Sequence, residues 1–161
     1  EEWGMKVLAG VEITHVPAWR SDEGVSKARK LGAEIVVIHG ETISEPVEKG
    51  TNYAAVMNPE VDILAHPGFI TLEEAQAARD NGVVLEITSR GSHCKTNGHV
   101  ARMAQQSGAL MVVNTDAHSP GDLIDLATAT QIALAAGLTR EEADRALIET
   151  PKAIIKRRWR N

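Results

Sequence analysis

The chain has one cysteine, Cys94, so no disulfide can form within it, and a reducing compartment fits. Aromatic residues make up only 3% of the 161 positions, so the core must be built from Val, Ile, Leu and Ala. No apolar run approaches the ~20 residues of a membrane-spanning helix, and no signal peptide is visible. The expectation is a soluble, cytoplasmic protein. Basic residues are in the minority, 17 Lys and Arg against 22 Asp and Glu, for a net charge of −5. That argues against a protein that coats nucleic acid, although a metal site can still draw phosphate locally. No glycine-rich fingerprint follows the first apolar run, which disfavours a dinucleotide fold. An initiator methionine is missing too. The opening Glu1-Glu2-Trp3-Gly4 reads as the tail of a helix closed by glycine, so the expectation is a single domain, 1–161, cut short at its amino end.

What is present alternates. Five apolar runs, Val7–Val11, Ile35–Ile38, Val61–Ala65, Val83–Thr88 and Leu110–Val113, are separated by stretches with helix signals. Helices are expected over about 21–31, 53–57, 71–80, 98–106, 121–136 and 139–149, with a last one from Thr150-Pro151. Thr71-Leu72-Glu73-Glu74 and Thr139-Arg140-Glu141-Glu142 are capping-box starts. Near-continuous apolar strands are buried on both faces, which means a parallel sheet wrapped by helices. The strand ends recur evenly. Positions 12 to 39 and 39 to 66 are each 27 residues apart, and 88 to 116 is 28. Such a repeated βα unit marks a (β/α) barrel or a doubly wound sheet.

The chemistry follows the strands. Glu12, His39, His66, Asp116 and His118 each stand directly after an apolar run. In a barrel these positions share the face on which active sites are built. Asn114-Thr115-Asp116-Ala117-His118-Ser119-Pro120 is the densest stretch. Ser119 is placed to cap a helix with Pro120 at its first position, and an extended chain would aim Asp116 and His118 the same way. His39-Gly40 and His66-Pro67-Gly68 also read as ordinary turns, but five metal-competent side chains at successive strand ends point to a metal site. Imidazoles mixed with carboxylates suit Zn, Mn or Fe better than Ca or Mg. Arg90, at the end of the fourth run, is the candidate phosphate clamp, with Lys95 a weaker one. His15 and His93 could line the pocket but read first as plain loop residues, Cys94 reads as inert, and the basic run from Lys152 to Arg160 could touch nucleic acid but reads first as a solvated helix face.

Gly10-Val11-Glu12, Val37-Ile38-His39-Gly40, Ile63-Leu64-Ala65-His66-Pro67-Gly68 and Asn114-Thr115-Asp116-Ala117-His118 together resemble the successive motifs of the PHP (polymerase and histidinol phosphatase) family of metal-dependent phosphoesterases. The resemblance spans about 7–122. It implies an α/β fold, a distorted (β/α)7 TIM-like barrel of PHP type, with about five βα units in this chain. It implies up to three metal ions, with Glu12 bridging two, His39 and His66 on one, Asp116 on another and His118 on the third. Asp116 and His118 are then the catalytic residues, and a small phosphorylated molecule is the substrate. The family's His-x-His opening motif does not occur in this sequence. The resemblance therefore implies little phosphatase activity from residues 1–161 alone. It also implies either a missing amino-terminal segment or an oligomer that covers open barrel edges.

Two alternatives stand beside this reading. One is another metal hydrolase barrel, such as a TatD-like nuclease or an amidohydrolase. The other is a catalytically inactive PHP-like scaffold, as in the PHP-like subunit of ribonuclease P.

Overall fold

Parallel pairing organises the chain from the first strand to the last. The computed structural model describes Gly4 and residues 7–158; the helix tail expected at Glu1–Trp3 lies outside them. The strands are β1 (Gly10–Ile13), β2 (Ile35–His39), β3 (Ile63–Ala65), β4 (Val84–Thr88) and β5 (Met111–Asn114). They form one sheet in the order β1-β2-β3-β4-β5, every neighbouring pair parallel. Helices α1 (Ser21–Lys30), α2 (Thr51–Met57), α3 (Leu72–Asn81) and α4 (Asn97–Ser107) each carry the chain back to start the next strand. After β5 come α5 (Leu126–Ala135), α6 (Arg140–Asp144) and α7 (Thr150–Arg158). The sequence expectation of an α/β, PHP-type TIM-like barrel with five βα units holds.

Strand alternation divides the side chains between two layers. Val36, Ile38, Leu64, Leu85, Ile87 and Met111 pack with Val25, Val56, Ala75, Ala78, Val100 and Ala104 of the helices. Their neighbours along each strand face inward. There Ile35, Val37, Ile63, Val84 and Val112 meet Ile154 of α7. The same inward rows end in polar groups, because residues further along them are Glu12, His39, Glu86, Thr88 and Asn114. The inner face is therefore apolar at the strand starts and polar at the strand ends.

Three boundaries depart from expectation. β1 starts at Gly10, since its ladder with β2 begins opposite Ile35, and Glu12 is thus inside the strand. The helix expected over 121–136 splits. Asp122 turns back to accept from the Ser119 and His118 N–H groups, closing a 3-10 turn at Pro120–Asp122, and Asp125 caps α5 through the Thr128 N–H. The two last expected helices are joined, because a π-helical stretch at Arg145–Glu149 links α6 to α7. It lies just ahead of Pro151, which has no N–H to give to the ladder.

The turns after β2 and β3 lock together. A Cβ on Gly40 would meet the Ala65 carbonyl oxygen at 2.4 Å, and one on Gly68, at φ +60°, would meet that of Glu41 at 1.9 Å. Only glycine allows this approach. It fixes the ends of two adjacent strands, and with them His39 and His66.

At the opposite end of the sheet, Asp62 precedes β3 and is fully buried. Its carboxylate accepts from the Val36 N–H at 2.9 Å, Arg29 at 2.6 Å, Arg157 at 2.8 Å and Arg158 at 2.5 Å. Burial pushes this carboxyl up, but the bonds from Val36, Arg158 and Arg29 outweigh it and hold the group below its usual value. Asp62 thus ties α1 and α7 to the underside of the barrel.

Candidate metal centre

The strand ends deliver their side chains to one cavity of about 240 Å³, lined by Glu12, His15, His39, Glu45, Arg90, His93, Asp116 and His118. His66 lies beneath it, 2% exposed. His39 is the last residue of β2, and its Nδ1–H donates to the Gly40 carbonyl at 3.1 Å. A carbonyl can only accept, so this bond leaves Nε2 as the bare nitrogen. That Nε2 faces Glu45 Oε2 at 3.3 Å. His66 Nε2 stands 4.0 Å from Glu12 Oε1 and 3.9 Å from Asp116 Oδ2. His93 Nε2 stands 3.4 Å from Glu45 Oε1 and 3.9 Å from Asp116 Oδ2. The rings of His66 and His93 stack at 4.3 Å, and His39 meets the His66 ring edgewise at 4.4 Å.

These distances suit an ion between the groups. Two donors each about 2.1 Å from one ion in tetrahedral geometry lie roughly 3.4 Å apart. His39, His66 and His93 each offer a ligand atom within 4.8 Å of the others. Electrostatics agree with a site built for a cation. Burial, helped by His39 and His93, pushes His66 down to about 3, and burial also lowers His93. Both imidazoles are neutral at pH 7, the form that binds metal. Among the described residues the buried His66 Nδ1 has no hydrogen-bond partner. Burial raises the Glu12 carboxyl, with His39 opposing and Asp116 adding to the rise. The donor chemistry fits a divalent transition metal better than Ca or Mg.

The backbone is strained where the site is densest. Among the described non-glycine residues, His15 (φ +55°), His66 (φ +29°) and Asp116 (φ +48°) are left-handed. Each such residue costs on the order of 1–3 kcal/mol unless its surroundings hold it. Asp116 therefore corrects one expectation. The chain there is not extended, and His118 meets Asp116 through a turn, its Nδ1–H donating to the Asp116 carbonyl at 2.9 Å with Oδ1 at 3.6 Å. His118 remains largely open to solvent.

Of the residues singled out from sequence, Glu12, His39, His66 and Asp116 converge, and His118 stands at the rim. Arg90 is beside them, Nε 3.8 Å from Asp116 Oδ2 and Nη1 3.3 Å from Asp122 Oδ2. Lys95 does not line this cavity. His93, expected first as a plain loop residue and second as a pocket-lining one, is 3% exposed inside the cluster. Glu45 and Glu86 are not among the sequence candidates, yet both belong to the site. Glu86 lies under the imidazoles, one oxygen accepting from the His66 N–H at 2.9 Å and the other from the Asn114 amide at 3.0 Å. Burial raises its carboxyl to about 7, against the two hydrogen bonds. The sequence signal for it is a lone Glu inside the run Val83–Thr88, in phase with the inward-facing Val84 and Thr88.

No family model matches the chain. An uncharacterized protein of Methanocaldococcus jannaschii is 50% identical over 151 residues, covering 94% of this chain and 69% of that protein. Ribonuclease P protein component 3 of Methanosarcina mazei is 32% identical over 172 residues, covering 96% of this chain and 68% of that one. A probable phosphatase of Thermoanaerobacter is 28% identical over 156 residues, covering 86% of this chain and 63% of its own. Among solved structures, a chain in the cryo-EM structure of archaeal ribonuclease P with mature tRNA superposes with a TM-score of 0.79 at 21% identity. The match covers 98% of this chain and 71% of that one.

Proposed function

The chain belongs to the PHP superfamily, in the family of ribonuclease P protein component 3, and from that premise we propose that it holds divalent metal at its strand ends and acts on phosphate esters. One observation carries this reading: Glu12, His39, His66 and Asp116, from four strand ends, meet at one cavity, with His66 Nε2 4.0 Å from Glu12 Oε1 and 3.9 Å from Asp116 Oδ2. Glu12, His39 and His66 would hold one ion, Asp116 another, and His118 is placed for a third. Zn, Mn or Fe suits these donors. When bound, such ions supply Lewis-acid charge that activates water and neutralises phosphoryl oxygens.

The chain's own residues have separate tasks. Arg90 presents a planar guanidinium into the cavity, able to take two oxygens of one phosphate, and Asp122 holds it there. His118, at the rim with Nδ1–H fixed by the Asp116 carbonyl, turns its bare Nε2 away from that bond, the nitrogen that would hold the third ion. The strained backbones of His66 and Asp116 hold their side chains in place before any ligand arrives.

A second reading is a catalytically inactive PHP-like scaffold that works inside an RNA-processing particle. The relatives support it more than they support hydrolysis, since ribonuclease P protein component 3 exceeds the probable phosphatases in the share of its length matched. The ligand cluster supports the first reading, because a scaffold has no use for three imidazoles buried around one point. One experiment separates them. Protein purified with Mn or Zn is assayed on p-nitrophenyl phosphate and nucleoside monophosphates, and in parallel for binding of tRNA precursors. Bound metal with metal-dependent turnover supports the phosphoesterase. RNA binding without metal or turnover supports the scaffold.

A further inference from the structure

His93 and Glu45 come from two loops, one after β4 and one after β2, and neither belongs to the strand-end motifs. Their placement is nevertheless built. The Ser44 hydroxyl donates to the Ser92 carbonyl, joining the loops one residue from each group. The Thr42 hydroxyl lies 2.8 Å from His93 Nδ1. Glu41, at the start of the first loop, accepts from the Gly50 and Asn52 N–H groups, and Asn52 donates onward to the Pro67 carbonyl. The loop that carries Glu45 is thus anchored at both ends, to itself and to the turn after β3.

This construction turns His93 toward the other imidazoles. With Nδ1 engaged by the Thr42 hydroxyl, it is Nε2 that faces Glu45 Oε1. Glu45 spans two rings, with Oε1 3.4 Å from His93 Nε2 and Oε2 3.3 Å from His39 Nε2. His66 completes the ring of nitrogens, stacked on His93 at 4.3 Å. Three imidazoles thus converge beside one carboxylate. A cation among them would satisfy all four groups. His66, only 2% exposed, turns its Nε2 to the carboxylates of Glu12 and Asp116, 4.0 and 3.9 Å away and beyond hydrogen-bond reach.

We propose that His93 and Glu45 are metal ligands, and that with His39 and His66 they form a three-imidazole, one-carboxylate site for Zn or a similar ion. The inference rests on the metal reading above and deepens it. It shares His39 and His66 with the strand-end set, but its carboxylate comes from the β2–α2 loop and its third imidazole from the β4–α4 loop. Thr42 is a positioning residue that holds the His93 ring through Nδ1. Three nitrogens and one oxygen favour Zn over Mg or Ca.

The test is cobalt titration of the full chain, followed by its visible ligand-field absorption, with zinc affinity measured by competition against a chromophoric chelator. Wild type, His93→Ala, Glu45→Gln and Thr42→Val are compared, with circular dichroism to check folding. The expected result is an intense tetrahedral cobalt spectrum in wild type. His93→Ala and Glu45→Gln should each weaken zinc by tenfold or more and change that spectrum, and Thr42→Val should weaken zinc by about tenfold. A folded His93→Ala protein with wild-type zinc affinity and an unchanged spectrum would overturn the proposal while leaving the strand-end metal reading intact. Wild type that binds neither ion would overturn both. If His93→Ala fails to fold, the readout is the His93 ring ¹⁵N shift in wild type on adding zinc. A large change supports ligation, and an unmoved resonance overturns it.

Discussion

The two ends of the sheet bury acidic groups in opposite ways. At the strand starts, Asp62 has no exposed side-chain surface and is held by Val36, Arg29, Arg157 and Arg158. Every oxygen has donors, and the carboxyl sits below its usual value. At the strand ends, Glu86 is buried with two neutral donors and rises to about 7, while His66 falls to about 3 with a nitrogen left orphaned. Two ligand candidates there have left-handed backbones. Each end holds one buried nitrogen with no hydrogen-bond partner among the described residues, Arg29 Nε below and His66 Nδ1 above. The lower carboxylate is nevertheless fully paired with cations of the chain, whereas the upper imidazoles and carboxylates face one another at 3.3–4.0 Å. In a parallel barrel this is the division expected between a stabilising face and a working face.

The strand-start end is the one a single substitution disturbs most. Asp62→Ala would leave three guanidinium groups and the Val36 N–H without their shared partner. The expected loss is about 3–5 kcal/mol, read by urea unfolding at pH 7. The folded value of Asp62 is depressed, so its contribution is complete above the ordinary 3.8 and is lost as pH falls through the folded value. Wild type and Asp62→Ala should therefore converge in stability in acid. A loss below about 1 kcal/mol at pH 7 would remove the contrast between the two ends.

At the upper end the sign reverses. Glu86 has a folded value above its ordinary 4.5, so its contribution is complete below 4.5 and is lost as pH rises through about 7. Glu86→Gln imitates the protonated form and keeps both contacts once the Asn114 amide turns over. Metal-free Glu86→Gln should be more stable than wild type at pH 8, on the order of 3 kcal/mol, with little difference at pH 4.5. Equal stability at both pH values would show that Glu86 is solvated in a way the structure does not suggest.

A smaller effect sharpens the role of Arg90. Arg90→Lys keeps the charge but loses the fork that reaches past Asp116 and Asp122. On the phosphoesterase reading, kcat/KM should fall about tenfold, or ~1.4 kcal/mol, mostly through KM. An unchanged KM would place phosphate elsewhere in the cavity.

Much of the upper end is legible in the sequence alone. An apolar run locates a strand, its last residue locates the rim, and that rule finds Glu12, His39, His66 and Asp116. It passes over Glu86, because it reads an apolar run for its ends and not for its inward phase. His93 and Glu45 escape it for another reason. Their meeting depends on contacts such as Thr42 to His93, 51 residues apart, which no local pattern encodes. The lower end is invisible on the same ground, since Asp62 finds Arg157 across 95 residues. The helix after Asp116 differs from expectation because two acidic caps compete there, and Asp125, not Ser119, starts the long helix.

The strand ends are proposed to form a metal centre. Anomalous diffraction at the zinc or manganese edge, from crystals of this chain grown with the metal, tests it most directly. The predicted result is a strong peak about 2.0–2.2 Å from imidazole nitrogens of His39 and His66, with a carboxylate oxygen at similar range. Crystals whose only anomalous peaks lie on surface groups, with those two imidazoles unbound at millimolar metal, would contradict it.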